Sequence, residues 1–388
     1  MRILHITNSY GGTAVYTNLY TAIDAQSDCE QWIYAPLNSR NHNRVGNMMI
    51  DFKNRGSKIH YATLLKGYHS YLYGAKIRAV VRDIEHTFDM TKVNLIHAST
   101  LCFDGAVAYE LSRQFNIPYV VAVRNTDIHT YYDKLFWRKT YFTKILLNAR
   151  TVVFISPKYR ENFLKYQVPL EKCKAVSDKT MVIPNGVNNI FLSNQNNVER
   201  KLGDEIRLIF VAAFYAGKGL KETIQAIERL RAEGMNVSLN AIGKGLPNRP
   251  KDAEYVKQVE ALAKGKDWVK LQPFKTPQDI IKEMRKSDAF IMVSSPETFG
   301  LVYVEALTQR LPIIYACNEG FDGFYRDGFV GYPAHAGSVE SIMEAIKKVK
   351  DDYGSLVHNI EALNLETDFE WNNIGRKYLD MYNTILND

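Results

Sequence analysis

The stretch "SSPETFGLVYVEAL" occupies residues 294–307 and joins two apolar runs of the chain. The run before it, "AFIMVSS" (289–295), is short and apolar, which predicts a buried strand. From residue 301 to Arg310, apolar residues recur at helical spacing, which predicts a helix. Gly300 stands where the chain would turn into that helix. "LPIIYA" (311–316) predicts the next buried strand. The sequence therefore predicts a strand, turn, helix and strand, with the turn at the carboxyl end of a strand, where open α/β sheets bind ligands.

Two carboxylates lie eight positions apart in this stretch, Glu297 in the turn and Glu305 in the early helix. The free N–H groups at a helix start attract phosphate, and nearby carboxylates accept hydrogen bonds from hydroxyls. This combination suits a nucleotide sugar, which carries both groups. Spacing alone leaves a second interpretation open, in which Glu297 is a surface turn residue and Glu305 is favoured by the helix dipole.

Length and composition are those of a globular protein of two or three domains, with 388 residues, 46% hydrophobic and 23% charged. No apolar run approaches the roughly 20 residues of a membrane span. The start, "MRILHITNSYGG", predicts a first strand rather than a signal peptide. We expect a cytoplasmic protein, either free in the cytoplasm or at the inner face of the membrane. The scattered cysteines are then free thiols, at Cys29, Cys102, Cys173 and Cys317.

The net charge of +7 is concentrated in two base-rich stretches. Residues 52–82 hold seven bases and no acid, and residues 134–150 hold five bases and no acid. Aromatic side chains alternate with these bases, at Tyr61, Tyr68, Tyr71, Tyr73, Phe136, Trp137, Tyr141 and Phe142. Such composition favours peripheral contact with an anionic membrane, although a solvated helix face with its aromatics in the core remains an alternative. We expect no nucleic-acid partner, since no recognition motif accompanies the charge.

The chain alternates strands and helices throughout, which is typical of doubly wound α/β domains. Strands are predicted in two series, first at 2–7, 31–36, 94–99, 119–123 and 151–156, and then at 206–213, 236–243, 267–274, 289–295 and 311–316. The polar stretch 193–205 predicts a linker between the two series. Residues 369–386 predict an amphipathic C-terminal helix.

Several motifs recur in a fixed order along the chain. They are the Gly11-Gly12 turn, "IPNGV" (183–187), "VAAFYAGKGLKETIQAI" (211–227), "AIGKGL" (241–246), "PETFGLVYVEAL" (296–307) and "GFDGFYRDGFVGY" (320–332). In this order the chain resembles family 4 of the retaining nucleotide-sugar glycosyltransferases, whose signature is a pair of glutamates in an E-x7-E motif.

The resemblance implies the GT-B fold, α/β with two doubly wound Rossmann-like domains facing across a cleft. It implies an acceptor-side domain over residues 1–182, completed by a C-terminal helix at 369–388. The donor-binding domain would occupy residues 183–368.

The resemblance also implies roles for individual residues. Glu297 would contact the transferred sugar and Glu305 the nucleotide ribose. Lys218 would neutralise the diphosphate leaving group, where a fixed cation lowers the barrier. Gly12 would let the backbone approach the diphosphate. The other implied donor-binding residues are Thr298, Phe299, Gly300, Leu301, Lys244 and Phe274.

The chain departs from the family pattern at two places. Ala212 and Ala213 occupy positions where an arginine commonly binds the diphosphate. Arg124 follows the strand ending at Val123, where the family often has a histidine. Arg124 either supplies catalytic charge or is a structural arginine paired with Asp127. Further candidates for the cleft are Asn125, Asp127 and His97, although a strand-end histidine is more often a polar core residue.

The resemblance implies a retaining, metal-independent hexosyltransferase that needs no cofactor, and no Asp-x-Asp motif stands at a strand end. Its partners would be a nucleotide-sugar donor and a glycan or lipid-linked acceptor in cell-surface polysaccharide synthesis. Two alternatives remain, a nucleotide-sugar epimerase of the same fold and a non-catalytic subunit that binds a partner enzyme or a membrane. The missing arginine supports the second alternative.

Overall fold

The computed structural model of the protein describes residues 1–245 and 250–387. The chain divides into two compact units. The first unit holds residues 1–155, 160–186 and the chain from residue 371, and the second unit holds residues 156–159 and 187–370. Each unit is an α/β domain built on one parallel sheet.

The sheet of the first unit has seven strands: β1 (Arg2–Ile6), β2 (Glu30–Asn38), β3 (Lys58–Leu65), β4 (Leu95–Ala98), β5 (Tyr119–Ala122), β6 (Thr151–Phe154) and β7 (Thr180–Val182). Their order is β3-β2-β1-β4-β5-β6-β7. The strands up to β3 are added on one side of β1, and those from β4 onwards are added on its other side. The loops after the parallel neighbours β1 and β4 therefore meet at the carboxyl edge of the sheet. β3 falls inside the base-rich stretch 52–82, and only Ala62 and Leu65 of its side chains are buried, which hides it from a search for apolar runs.

The helices of the first half are α1 (Ala14–Gln26), α2 (Tyr73–Thr87), α3 (Asp104–Phe115), α4 (Lys139–Asn148), α5 (Pro157–Gln167) and α6 (Leu170–Ser177). Side chains at helical spacing, such as Ile77, Val80 and Ile84 on α2, bury one face of each helix. The opposite face of α2 carries exposed Arg78 and Arg82.

The sheet of the second unit has six strands: β8 (Ile206–Val211), β9 (Val237–Ile242), β10 (Val269–Gln272), β11 (Ala289–Ile291), β12 (Ile313–Ala316) and β13 (Gly331–Ala334). Their order is β10-β9-β8-β11-β12-β13. Its helices are α7 (Asn189–Ser193), α8 (Leu220–Ala232), α9 (Pro250–Ala263), α10 (Pro277–Arg285), α11 (Leu301–Thr308), α12 (Val339–Asp351), α13 (Tyr353–Glu361) and α14 (Leu365–Phe369). β8 and β11 are neighbours at the sheet's centre, so their following loops also meet.

The predicted C-terminal helix is confirmed as α15 (Trp371–Asn387). It packs on α1 and places Ile374, Tyr378 and Tyr382 in the core of the first unit. At Gly375 an added Cβ would lie 3.0 Å from Ala22 on α1, so the two helices are in close contact. Across the part of the chain that the structure describes, no helix has the length and apolar content to cross a membrane.

The stretch 193–205 is not the linker that its composition predicts. It belongs to the second unit, and its residues are held there by hydrogen bonds. The Asn196 amide donates to the Thr308 carbonyl at 2.9 Å, and the Arg200 guanidinium donates to the carbonyls of Ser287 and Gln309 at 2.5 and 2.8 Å. These bonds satisfy polar groups of the stretch without a helix or strand.

Candidate functional site

Two glycines bring the loops after β8 and β11 together in the second unit. Gly219 caps α8 with φ 73°, and an added Cβ would lie 2.4 Å from the Val293 carbonyl oxygen. Gly300 caps α11 with φ 79°, and its Cβ would lie 2.3 Å from the Tyr303 ring. A side chain at either position would be strained and would clash, so both turns need glycine.

Lys218 and Glu297 meet where these loops touch. The Lys218 Nζ atom lies 2.7 Å from Glu297 Oε2, with 16% and 13% of the two side chains exposed. Burial by itself would lower the pKa of Lys218, but the adjacent Glu297 carboxylate raises it overall. Glu297 also accepts hydrogen bonds from the Ser294 hydroxyl at 3.1 Å and from the Thr298 amide at 3.0 Å. The structure thus places two of the three predicted catalytic residues, Lys218 and Glu297, in one partly buried ion pair.

A third carboxylate, Glu319, holds the turn in place. It accepts hydrogen bonds from the Glu297 amide at 2.8 Å and from the Ser295 hydroxyl at 2.5 Å. The Gly320 amide donates to the Glu297 carbonyl at 3.0 Å, and a Cβ at Gly320 would lie 2.3 Å from the backbone of residues 298 and 299. Sequence reasoning missed Glu319 because it belongs to the loop after β12, and only the fold brings that loop to the turn.

Glu305 lies on α11, eight residues beyond Glu297. Burial raises the pKa of its carboxyl group to about 7. Among residues 1–245 and 250–387, no side chain forms a hydrogen bond or ion pair with this carboxyl group. A carboxyl group that is largely enclosed and without a protein partner is suited to accept hydrogen bonds from a ligand.

The other predicted donor-binding residues fall into two sets. Phe299 is buried and its ring packs on Phe324 and Phe369, so only its backbone is available to a ligand. Thr298, Gly300 and Leu301 complete the turn and the start of α11. Lys244 and Phe274 follow β9 and β10, and the Lys244 ammonium lies 5.8 Å from the centre of the Phe274 ring. Leu246, in the predicted Gly-x-Gly turn, lies outside the described residues.

In the first unit, Arg124 and Asp127 form a bend after β5. Asp127 is fully buried and accepts hydrogen bonds from the backbone amides of Arg124, Leu101 and Cys102 at 2.7–3.0 Å. Burial raises the pKa of Asp127, while these amides lower it. Asp127 therefore fixes the loops after β4 and β5. It is linked to the backbone of Arg124, not to its guanidinium as the alternative interpretation assumed.

The Arg124 guanidinium makes long contacts to the Ser99 carbonyl and the Asn185 side chain, both at 3.4 Å, and it also interacts with the Tyr378 hydroxyl and lies 6.0 Å from the centre of the Tyr16 ring. It remains partly exposed. Asn125 follows it, and the Asn125 Oδ1 atom is buried with no hydrogen-bond partner. Because Arg124 and Asn125 are partly exposed, they are available to a polar ligand at the end of β5, whereas the Asn125 Oδ1 atom itself is enclosed.

His97 is a core residue and does not line an accessible edge. It is 1% exposed, its ring stacks on Tyr378, and its Nδ1 atom lies 2.7 Å from the Tyr382 hydroxyl. Burial, with a contribution from Arg124, lowers the pKa of His97 to about 3, so the ring is neutral. The prediction that placed His97 beside a ligand is wrong, because α15 covers this strand end.

Gly12 lies at the end of β1 beside a cation that the sequence did not indicate. An added Cβ at Gly12 would lie 2.9 Å from an Nη atom of Arg44. Arg44 is only partly exposed, and it ends a short 3-10 turn, Ser39–Arg44, after β2. A glycine turn with an arginine against it offers both backbone approach and positive charge to an anion. Arg44 is 32 positions from Gly12 in the chain, so only the sheet order brings them together.

Both halves of the chain match glycosyltransferase family models. Residues 10–189 match the model described as Glycosyltransferase Family 4, and residues 193–363 match the one described as Glycosyl transferases group 1.

Two curated relatives are similar to this chain over half of its length or more. An alpha-monoglucosyldiacylglycerol synthase from Acholeplasma laidlawii is 25% identical over 68% of this chain and 67% of its own length. The capsular polysaccharide biosynthesis glycosyltransferase CapM from Staphylococcus aureus is 25% identical over 51% of this chain and 52% of its own length.

Solved structures share the fold. A sucrose-phosphate synthase from Thermosynechococcus elongatus has a TM-score of 0.73 at 17% identity and covers 99% of both chains. HepE from Anabaena, solved with UDP-glucose, has a TM-score of 0.66 at 15% identity and covers 99% of this chain and 100% of its own. The chain thus has the GT-B fold of these structures, and each of its two halves matches a glycosyltransferase family model.

Proposed function

We propose that the protein is a retaining glycosyltransferase that moves a hexose from a nucleotide diphosphate donor to an acceptor hydroxyl. The Lys218–Glu297 ion pair at the start of α11 is the observation that carries the proposal, because it combines a cation for phosphate with an acceptor for sugar hydroxyls. HepE, which shares the fold, was solved with UDP-glucose, so UDP-glucose is the first donor to test.

In this proposal Glu305 accepts hydrogen bonds from the ribose hydroxyls and Glu297 from the hydroxyls of the sugar. Lys218 then turns from Glu297 towards the diphosphate. The bond between the anomeric carbon and the diphosphate oxygen breaks, and the acceptor oxygen bonds to the same face of that carbon. The acceptor's proton passes to the departing diphosphate, whose new charge Lys218 stabilises. No metal ion or cofactor takes part.

The charge missing at Ala212 and Ala213 is supplied in this proposal by Arg44, beside Gly12. Arg44 is a better candidate than Arg124 because it lies against the glycine turn assigned to the diphosphate. Arg124 and Asn125 would then contact the acceptor or the sugar.

The acceptor is proposed to lie at a membrane, with the enzyme on the cytoplasmic face and working in cell-surface glycan synthesis. The two base-rich stretches support this proposal, and their aromatic residues divide between core and surface. Tyr73 and Phe142 are buried, whereas Tyr71, Phe136 and Trp137 are exposed.

The proposal is tested by calorimetry and turnover with UDP and a panel of UDP-hexoses. Glu297→Ala should retain UDP binding but weaken binding or turnover of the sugar-bearing donor. Lys218→Ala should lower turnover roughly a hundredfold, on the scale of removing one charge-stabilising group. Lys221→Ala, on the next helical turn, is the matched control and should behave as wild type.

Failure of every nucleotide sugar to bind or turn over would support the non-catalytic alternative. Chelator should leave activity intact, and an absolute requirement for a divalent ion would overturn the metal-independent mechanism.

A further inference from the structure

A groove of about 650 Å³ runs between α2, α3 and the start of α4 in the first unit. Four arginines and two glutamates line it: Arg78, Arg82, Arg113, Arg138, Glu85 and Glu110. The proposed transfer reaction uses none of these residues.

Part of this charge is already balanced. Glu110 lies 3.6 Å from the Arg113 guanidinium and accepts a hydrogen bond from Tyr141 at 2.9 Å. The Arg138 guanidinium lies 4.8 Å from the centre of the Tyr73 ring, and its Nε atom is buried without a hydrogen-bond partner. Among the described residues, Arg78 and Arg82 have no ion-pair partner within 4.0 Å. The groove therefore offers three uncompensated guanidinium groups, against one remaining glutamate, Glu85.

Exposed apolar side chains border the groove on both sides. Tyr71 is 89% exposed and Leu72 55%, immediately before Tyr73 on α2. Phe136 and Trp137 are 65% and 63% exposed, immediately before Arg138. Of the six aromatic side chains that are exposed in the described part of the chain, three lie in these two segments. Exposed apolar side chains that are clustered, unlike single ones, mark an interaction site.

Both exposed segments continue directly into residues that line the groove, Tyr73 and Arg138. These two lining residues are in contact, since the Arg138 guanidinium lies 4.8 Å from the centre of the Tyr73 ring, and the Tyr73 ring lies 6.2 Å from that of Tyr131, upstream of the Phe136–Trp137 pair. Guanidinium groups bind phosphate in a bidentate manner, and aromatic and leucine side chains enter the bilayer interface. Single-stranded nucleic acid would need open ring faces for stacking. Here Phe136 and Trp137 meet edge to face at 5.1 Å, which favours the membrane.

We propose that this groove binds the phosphate of an anionic phospholipid headgroup while Tyr71, Leu72, Phe136 and Trp137 enter the bilayer interface. The inference refines the proposed membrane contact by naming the lipid and the residues that hold it. Its test needs neither donor nor acceptor. The lipid site can therefore be disproved while the transferase activity is confirmed, and the transferase activity can be disproved while the lipid site is confirmed.

The experiment measures partitioning of the full chain onto phosphatidylcholine vesicles with and without phosphatidylglycerol. Wild type should bind only the anionic vesicles. The variant R78Q/R82Q/R138Q should bind them on the order of a hundredfold more weakly, since each base near an anionic surface contributes to binding. The variant F136A/W137A should weaken binding about tenfold.

Matched controls lie on α5 and α6 in the same chain. K165Q/K172Q/K174Q removes three exposed bases, and Y166A/L170A removes two exposed apolar side chains. Both should bind vesicles with no more than a small loss. Equal losses of vesicle binding in the controls and in the groove variants would overturn the site, because the losses would then reflect net charge and non-specific hydrophobic binding.

A second variant separates a headgroup site from diffuse attraction. R78K/R82K/R138K keeps the charge but loses the planar guanidinium fork, so a headgroup site should weaken about tenfold. Unchanged binding would overturn the proposal.

Two soluble probes complete the test. Tight binding of glycerol 3-phosphate without vesicles would overturn the lipid assignment in favour of a soluble phosphate compound. Binding of a single-stranded oligonucleotide that is lost in F136A/W137A would overturn it in favour of nucleic acid. We expect neither.

Discussion

Glu305 shows how a single enclosed carboxyl group makes ligand binding depend on pH. Its pKa is raised by burial from 4.5 to about 7, so the group is neutral below about pH 7 and a carboxylate above it. A carboxylate accepts two hydroxyl hydrogen bonds, whereas the neutral acid accepts more weakly. The titration of one residue thus falls near neutral pH, where few carboxyl groups titrate.

We predict that donor affinity rises between pH 6 and pH 8 in the wild type and stays flat in Glu305→Gln. Calorimetry with UDP-glucose is suitable, because a diphosphate capped by a sugar loses no proton in this range. Glu305→Ala should cost about 1.5–3 kcal/mol of binding at pH 8. Parallel pH curves for wild type and Glu305→Gln would contradict the ribose-binding role.

The same shift affects stability in the absence of ligand. A carboxyl group with a raised pKa destabilises the folded state progressively as pH rises from about 4.5 to about 7. Glu305→Gln should therefore gain thermal stability over the wild type at pH 8 but not at pH 4. This comparison checks the pKa of Glu305 independently of any nucleotide.

Arg44 carries a prediction about the missing diphosphate cation. Arg44→Gln should weaken binding of UDP about tenfold or more while leaving uridine binding unchanged, because only the diphosphate needs the charge. Arg55→Gln, an exposed arginine of the same unit, is the matched control and should bind UDP as wild type does. A greater loss in Arg124→Gln than in Arg44→Gln would favour Arg124 as the replacement.

At the scale of elements, the turn before α11 is held by contacts from two separate loops. The loop before α8 supplies Lys218, and the loop after β12 supplies Glu319 and Gly320. Gly320 lies against the backbone of residues 298 and 299. The position of Glu297 therefore depends on how closely the loop after β12 approaches.

We predict that Gly320→Ala lowers both stability and donor affinity. Its Cβ would lie 2.3 Å from the backbone of the turn, so the loop must move and Glu297 with it, at a cost of about 2–4 kcal/mol. Thermal unfolding and UDP-glucose titration measure the two effects. Gly354→Ala on α13 is the control, because open space surrounds that position, and it should stabilise the helix by roughly 0.5–1 kcal/mol. Normal donor binding by Gly320→Ala would show that the turn tolerates the displacement.

Elements and local motifs were predictable to different degrees. Apolar runs identified β1, β2, β4, β5 and β6 and the five strands β8 to β12, because buried parallel strands are continuously hydrophobic. They missed β3 and β13, since an edge strand such as β3 carries His60 and Tyr61 where a central strand carries valine. The turn with Glu297 was also predictable, because its residues are contiguous. Glu319 and Arg44 were not, because their contacts depend on sheet order.

At the scale of the molecule, the second unit is an uninterrupted stretch of chain apart from residues 156–159, and the first unit is not. The core of the first unit includes Tyr378 and Tyr382 of α15. Burial of such large aromatic side chains contributes several kcal/mol to stability. The two units therefore differ in what they need in order to fold.

We predict that residues 187–370 made alone fold and bind UDP with the weakened affinity of Arg44→Gln, because Arg44 belongs to the first unit. The chain ended at residue 370 should bind UDP equally weakly and have an unfolded first unit. Calorimetry and circular dichroism measure the two properties. Adding residues 371–388 as a separate peptide should restore part of the lost secondary structure. A cooperative, native-like first unit in the shortened chain would contradict the importance of α15.

The position of α15 also sets the order in which the two units mature on the ribosome. Domains usually fold in the order in which they are synthesised. Here the seven strands of the first sheet emerge first, yet they lack the helix that covers α1 until the whole second unit has been translated. The first unit therefore keeps an uncovered apolar face while the second unit is synthesised and folds. Nascent chains of this protein should accordingly depend on chaperones until the last helix leaves the exit tunnel.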